Sequence, residues 1–360
     1  MGEPTRALAW AALAGAGLPT SAAVALLRAL GSPQAVLGAP RARIASIAGA
    51  AVAERLATRD PEREAAARAW IDDPAHRLIA WDDEAYPPSL LDLPDPPLVL
   101  YAIGRTELFA KPAIAIVGSR QATPQGLEDA QAFAHTLAHA GLTVVSGMAL
   151  GIDAAAHRGA LDAPASTVAV VGTGPDRVYP ARHRDLAHAI ASRGLLVSQF
   201  APGTPPLKAN FPMRNRLIAG LAKGVLVVEA APGSGSLITA RFAVEQGRDV
   251  FAIPGSIHSP LSKGPHRLIR DGAKLVETAQ DVLAELGLPA TADATGGHGS
   301  VEADPIRSRL LDALGGGPVD LDRLVARTGL PPERIASSLV QLELDGRVGA
   351  LPGGRWQRVR

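Results

Sequence analysis

The 360-residue chain contains no cysteine. That excludes a disulfide, a thiolate zinc site and a cysteine nucleophile. Aromatic residues make up only 4%, so alanine, leucine and valine must fill the interior, and an apolar content of 47% allows a large one. No apolar run approaches the roughly 20 residues of a membrane span. The opening residues, MGEPTRALAW, carry an early acid and lack the charged-then-apolar order of a secretion signal. Arg6 stands where N-myristoylation of Gly2 would need Ser or Thr. A soluble, cytoplasmic protein is expected. The net charge is only +1, so the chain has no global attraction for nucleic acid. Any such attraction must come from local clustering.

Familiar catalytic signatures are missing too. There is no GxxxxGK[ST], which excludes a P-loop motor. No GxGxxG opens the first strand–helix turn, and no acid ends the second strand, which argues against a nicotinamide enzyme. No GxSxG nucleophile elbow sits at a strand end.

Residues 1–75 are rich in Ala and Leu and punctuated by Gly and Pro. They predict short helices such as Thr5–Ala14 and Ser21–Leu30, the second capped by Thr20 or Ser21. Short helices joined by Gly turns can bind DNA backbone, but a small packing domain is the plainer reading. Residues 76–112 are Pro-rich and predict one strand, LVLYAIG. From Pro112 a regular alternation begins. Strand-like runs are AIAIVG (113–118), LTVVSG (142–147), STVAVVG (166–172), LLVSQF (195–200), VLVVEA (225–230) and VFAIP (250–254). Helical patterns separate them. One is bounded by Thr123 as N-cap, Pro124 at the first position and Gly141 past its end, with Leu127, Phe133, Ala134, Leu137 and Ala138 on one face. Continuous apolar strands with helices between them imply an α/β fold: a Rossmann-like, doubly wound parallel sheet, covered on both faces, over residues 76–289. Its ligands should bind at the carboxyl ends of the strands. Residues 290–304 read as a linker. Residues 305–360 give helix, helix, helix and hairpin, the order of a winged helix. Their end is basic, with Arg347, Arg355, Arg358 and Arg360. The expected recognition helix, Glu333–Leu344, is acidic instead, which favours protein contact or support over duplex reading.

The stretch KANFPMRNRLIAGL (208–221) is the most unusual. Lys208, Arg214 and Arg216 surround Phe211 with no acid among them. Phe211 beside Pro212 reads as a stacking platform for a base rather than as core. Unusual loops end several strands. Gly118, Ser119 and Arg120 follow the first. Ser146 to Asp153, then His157, follow the second. Gly172-Thr173-Gly174, then Tyr179-Pro180, follow the third. Ser234, Gly235 and Ser236 follow Glu229 at a strand-to-helix turn, where backbone N–H groups and the helix dipole suit a phosphate. Asp153 and His157 are spaced for a metal, but two ligands make a poor site; capping and hydrogen bonding explain them better. Arg120, Lys208 and Arg214 would hold phosphates, without sequence preference.

Six of these segments occur together and in order: GSR (118–120), SGMALGIDAAAH (146–157), the Gly172–Pro180 segment, FPMRNRLIAGL (211–221), SGSLIT (234–239) and GRDVFAIPG (247–255). Over residues 80–285 the chain thereby resembles the DNA-processing protein A family (DprA/Smf). The resemblance implies a small N-terminal, SAM-like helical domain and a C-terminal winged helix. It also implies single-stranded DNA binding on the Rossmann-like domain, homodimerisation, protection of incoming DNA in natural transformation, and loading of the RecA recombinase. It places DNA contacts on Arg120, Lys208 and Phe211, with Asn215 and the Ser234–Ser236 loop lining the same pocket. It implies no catalysis and no cofactor. The competing reading is an N-glycosidic hydrolase of the phosphoribohydrolase type, because PGSGSLIT resembles its PGGxGTxxE loop. Such an enzyme needs a carboxylate after the loop. Residues Leu237 to Val244 contain no acid, and Glu229 precedes the loop.

Overall fold

A computed structural model describes residues 3–58, 60–289, 305–315 and 317–359. The expected linker at 290–304 and Arg360 lie outside them. No helix among the described residues is long and apolar enough to cross a membrane.

Six short helices open the chain: α1 (Glu3–Gly15), α2 (Thr20–Leu30), α3 (Pro33–Gly38), α4 (Arg41–Ala48), α5 (Ala50–Ala57) and α6 (Pro61–Asp72). The expected cap of α2 is shifted. Pro19 occupies the N-cap, and the Thr20 hydroxyl bonds the Asp95 carboxylate instead. A strand, β1 (His76–Ala80), a short helix, α7 (Pro88–Leu91), and β2 (Val99–Gly104) follow. Trp10, Leu13, Leu26, Trp70, Val99 and Tyr101 form one buried cluster, so these helices share a core with the first two strands.

The parallel part then unrolls as β3 (Ala113–Val117), α8 (Pro124–His139), β4 (Thr143–Ser146), α9 (Ile152–Ala160), β5 (Thr167–Val170), α10 (Arg184–Arg193), β6 (Leu195–Ser198), α11 (Asn210–Leu221), β7 (Gly224–Val227), α12 (Ser236–Glu245), β8 (Asp249–Ala252), α13 (Lys263–Arg270), β9 (Lys274–Leu275) and α14 (Ala279–Glu285). The nine-stranded sheet has the order β1-β2-β6-β5-β4-β3-β7-β8-β9. All six expected parallel strands are present. The sheet is not wholly parallel, because β2 pairs antiparallel with both β1 and β6. The sequence signals only one strand before Pro112. His76–Ala80 has a polar start and only a short apolar run, Leu78 to Trp81, and its strand conformation comes with pairing to β2.

The side-chain alternation of β3 explains the two-sided cover. Ala113, Ala115 and Val117 pack with Leu217, Ile218 and Ala240 of α11 and α12. Ile114 and Ile116 pack with Phe133, Leu137 and Ala156 of α8 and α9. Leu127 departs from the expected face of α8 and is 37% exposed. The chain runs outward from β3 to β6 and returns to the other side of β3 with β7. The crevice at this switch point is the expected ligand site of a doubly wound sheet.

At the same point Thr123 caps α8 as expected, accepting from Gly126 N. Its hydroxyl and backbone N–H both donate to the carboxylate of Glu229, at 2.6 and 2.9 Å. Glu229 thus links the end of β7 to the start of α8.

The C-terminal unit consists of α15 (Pro305–Leu314), β10 (Val319–Asp320), α16 (Leu321–Thr328), α17 (Pro332–Leu344), β11 (Val348–Leu351) and β12 (Arg355–Arg358). Leu310, Leu324, Ile335, Leu339 and Val348 form its separate core. It is a winged helix, with one more strand than the sequence suggests, because β10 adds to the hairpin. The wing lies on the start of α8. A Cβ at Gly349 would come within 2.8 Å of Pro124.

Because the Thr123 hydroxyl serves both the cap and Glu229, Thr123→Ala should cost about 0.5–2 kcal/mol, the range for loss of an N-cap, whereas Thr123→Ser should retain most of the stability. Urea unfolding of the two variants checks this.

Candidate nucleic-acid interface

The pocket at the strand ends has a volume of about 60 Å³ and is lined by Arg120, Gly147, Leu150, Tyr179, Phe211 and Arg214, among others. Residues from separate loops and one helix therefore meet there.

After β3, Gly118 leads into Ser119, whose backbone N–H donates to the Glu229 carbonyl at 2.7 Å. The Ser119 hydroxyl accepts from Gln121 N at 3.1 Å and is buried, so it shapes the turn. Arg120 is exposed, and its guanidinium carbon lies 5.8 Å from the centre of the Phe211 ring. That is cation–π range. Phe211, in the first turn of α11, is half-buried, with Lys208 exposed just upstream. Phe211 also lies against the Gly172 backbone, where an added Cβ would approach its ring to 2.9 Å. The Tyr179 ring is 5.5 Å away, inclined by 42°.

The three cations of the α11 stretch do not act together. Arg214 is 4% exposed and sits at the base of the pocket. Its Nη1 donates to the Val170 carbonyl, and its Nε has no partner among the described residues. A side chain at residue 147 would overlap the guanidinium and displace it, so Gly147 leaves the space that Arg214 occupies. Burial lowers the pKa of Arg214 to about 10, opposed by the charge of Asp153. Arg214 is thus a floor of the pocket rather than an open phosphate hook. Arg216 lies elsewhere, about 140° around the helix from Phe211 at 100° per residue. It bonds the Asp95 carbonyl and Gln199 Oε1, tying α11 to neighbouring loops.

Asn215 donates to the Gly235 carbonyl at 3.3 Å, joining α11 to the Ser234–Ser236 loop. In that loop the Ser234 and Ser236 hydroxyls bond each other at 2.7 Å, at the start of α12. Lys208 and this loop flank the pocket in sequence but are not among its lining residues.

Asp153 and His157 hold the 147–150 loop from below. Asp153 Oδ2 accepts from Gly147 N and Ala149 N, both at 3.2 Å. Burial pushes its carboxyl up, opposed by Arg214. His157 Nε2 accepts from Met148 N at 3.3 Å, and Nδ1 meets the Thr167 hydroxyl at 2.7 Å. That hydroxyl donates to the Val144 carbonyl, so Nδ1 carries the proton and the imidazole is neutral. Burial, with Arg214 nearby, drives the pKa of His157 down to about 3.

Tyr179, like Ala149, Leu150 and Pro180, is a lining residue to which sequence reasoning assigns no individual role. Its signal is the Tyr179-Pro180 pair after the Gly172-Thr173-Gly174 loop, which shows that the chain turns there but not where the ring goes.

Residues 77–287 match the family described as DNA recombination-mediator protein A, and residues 289–354 match the DprA winged helix domain. The chain belongs to the DprA/Smf family. It is 43% identical to protein Smf of Escherichia coli over 292 residues, covering 79% of this chain and 78% of that one. Among solved structures it is similar to DprA from Streptococcus pneumoniae, with a TM-score of 0.68 and 40% identity, covering 76% of this chain and 95% of that one. It is also similar to DNA processing protein A from Helicobacter pylori, with a TM-score of 0.54 and 31% identity over 59% of this chain and 95% of that one. That structure is described as giving insight into single-stranded DNA binding.

The neutral His157 of this DprA/Smf chain makes stability depend on pH. Its folded pKa lies below the unfolded value of 6.5, so the unfolded chain takes up the proton as pH falls below 6.5. Stability therefore declines from pH 6.5 downward, and by pH 5.5 the loss from this group is about 1.4 kcal/mol. Thermal unfolding at pH 7.5 and 5.5 should show a smaller difference for His157→Asn than for wild type.

Proposed function

We propose that this protein binds single-stranded DNA at the strand-end pocket, without sequence preference and without catalysis, as a homodimer that protects incoming DNA and delivers it to the RecA recombinase. The observation that carries the DNA reading is the placement of exposed Arg120 against the ring of Phe211, with Lys208 just upstream. Arginine and lysine hold phosphates, and an aromatic face stacks any base. Buried Arg214 lies beneath the pocket with its hydrogen bond to a backbone carbonyl, and nearby Asp153 answers its charge. Family membership and the Helicobacter pylori relative support the same ligand class. Protection, RecA delivery and the dimer follow the family resemblance.

The hydrolase alternative has less support. Both oxygens of Glu229 are engaged by Thr123. Leu237–Val244 offers no acid in its place.

Arg120→Ala combined with Lys208→Ala should weaken binding to a short oligothymidylate. The slope of log affinity against log salt should flatten by about 0.7 for each phosphate of the single strand that is no longer neutralised. Fluorescence anisotropy across a salt series measures both. A folded double variant with unchanged affinity and slope would overturn the site.

A further inference from the structure

The two sides of α17 differ. Ile335, Leu339 and Leu342 are buried in the core of the winged helix. At 100° per residue, Glu333, Ser337, Val340 and Leu344 fall within about 60° of arc on the opposite side. All four are exposed, Val340 by 50% and Leu344 by 79%. Glu343 is exposed beside this stripe. The one cation of α17, Arg334, stands about 100° from Glu333 and off the stripe. Asp345, just past the helix, pairs with Arg307 at 3.1 Å. The hairpin of the same unit is already engaged. Gly349 lies against Pro124 of α8, and its cross-strand neighbour Gln357 is buried. The winged helix is thus held through its hairpin, while the stripe on α17 stays open to solvent.

We propose that this stripe docks a helix of a partner protein, one with an apolar ridge flanked by lysine or arginine. Val340 and Leu344 stand one turn apart, the spacing at which two helices set apolar side chains against each other. Covering them removes apolar surface from water. Glu333 and Glu343 fix the sign of charge the partner must carry. A duplex fits poorly here. Valine and leucine offer no hydrogen bond to a base edge, and the two acids repel phosphates. A second copy of the stripe fits poorly too, since antiparallel pairing would set Glu333 of each copy against Glu343 of the other. The surface is separate from the strand-end pocket and does not depend on how that pocket is read. Because the hairpin rests on the start of α8, a partner held by α17 is carried on the same body as the strand-end loops.

The test uses the full chain and two labelled synthetic helical peptides, one with a leucine ridge flanked by lysines and one with the same ridge flanked by glutamates. Two double variants are compared with wild type: Val340→Ser with Leu344→Ser, and Glu333→Lys with Glu343→Lys. All four substitutions fall on exposed positions, and an unchanged circular dichroism spectrum checks the fold. By fluorescence anisotropy the lysine peptide should bind wild type and the glutamate peptide should not. The serine variant should bind the lysine peptide about tenfold more weakly or worse, the loss expected when two apolar side chains no longer become buried. The lysine variant should lose the lysine peptide and gain the glutamate peptide. Lysine-peptide binding that is absent in wild type, or equal in all three proteins, overturns the proposal. Two further measurements separate the other occupants. A duplex oligonucleotide should bind wild type and the serine variant alike, and weaker duplex binding by the serine variant would show that α17 reads DNA instead. Sedimentation should give wild type and the serine variant the same oligomeric state, and a smaller assembly for the variant would make a second copy the occupant and the proposal wrong.

Discussion

The guanidinium of Arg214 lies beneath the strand ends, almost wholly out of water, and donates to the carbonyl of Val170. Burying a charge costs several kcal/mol unless the surroundings answer it. Here the answer is spread out. Asp153 supplies opposite charge nearby, while its own oxygen holds Gly147 N and Ala149 N. Glycine at 147 leaves the volume that the guanidinium fills. Phe211 stands three residues before Arg214 on the same helix, α11, and lies at the pocket wall against Gly172. Both therefore move with the start of α11.

The rest of the core serves this edge by keeping the sheet thin and closely covered. With so few aromatics, alanines such as Ala134, Ala138, Ala155 and Ala156 let α8 and α9 approach each other and the sheet. Glu229 and Thr123 bind β7 to α8 across the switch point. The winged helix then lies on the same end of α8, through Gly349 and Pro124. Both the switch point and the wing therefore depend on where α8 begins.

Much of the site is legible in the residues. Arg120 and Phe211 stand together in the pocket, and strand-end glycines and an aromatic among cations point to both. Arg214 and Arg216 look like phosphate contacts in the sequence and are engaged otherwise. Neighbours in sequence diverge on a helix. Arg214 points inward beneath the loop and Arg216 points to Asp95 and Gln199. Asp153 and His157, expected as capping and hydrogen-bonding groups, hold the 147–150 loop by hydrogen bonds, and neither side chain caps α9, whose N-cap is Gly151. In the sequence Tyr179 is only part of a turn, because nothing local indicates which distant ring it will face.

The sequence by itself determined the element types, the α/β class and the edge at which the loops gather. Those features rest on local signals: apolar runs, a threonine cap followed by proline, and glycines where a strand must turn. Only the tertiary structure decided the antiparallel pair β1 and β2, the burial of Arg214, the diversion of Arg216 and the meeting of Tyr179 with Phe211. Each joins residues far apart in the chain, or depends on which side of a helix faces its neighbour. Periodicity establishes that a helix has a buried side, but the partner that buries it is set by packing across the whole sheet.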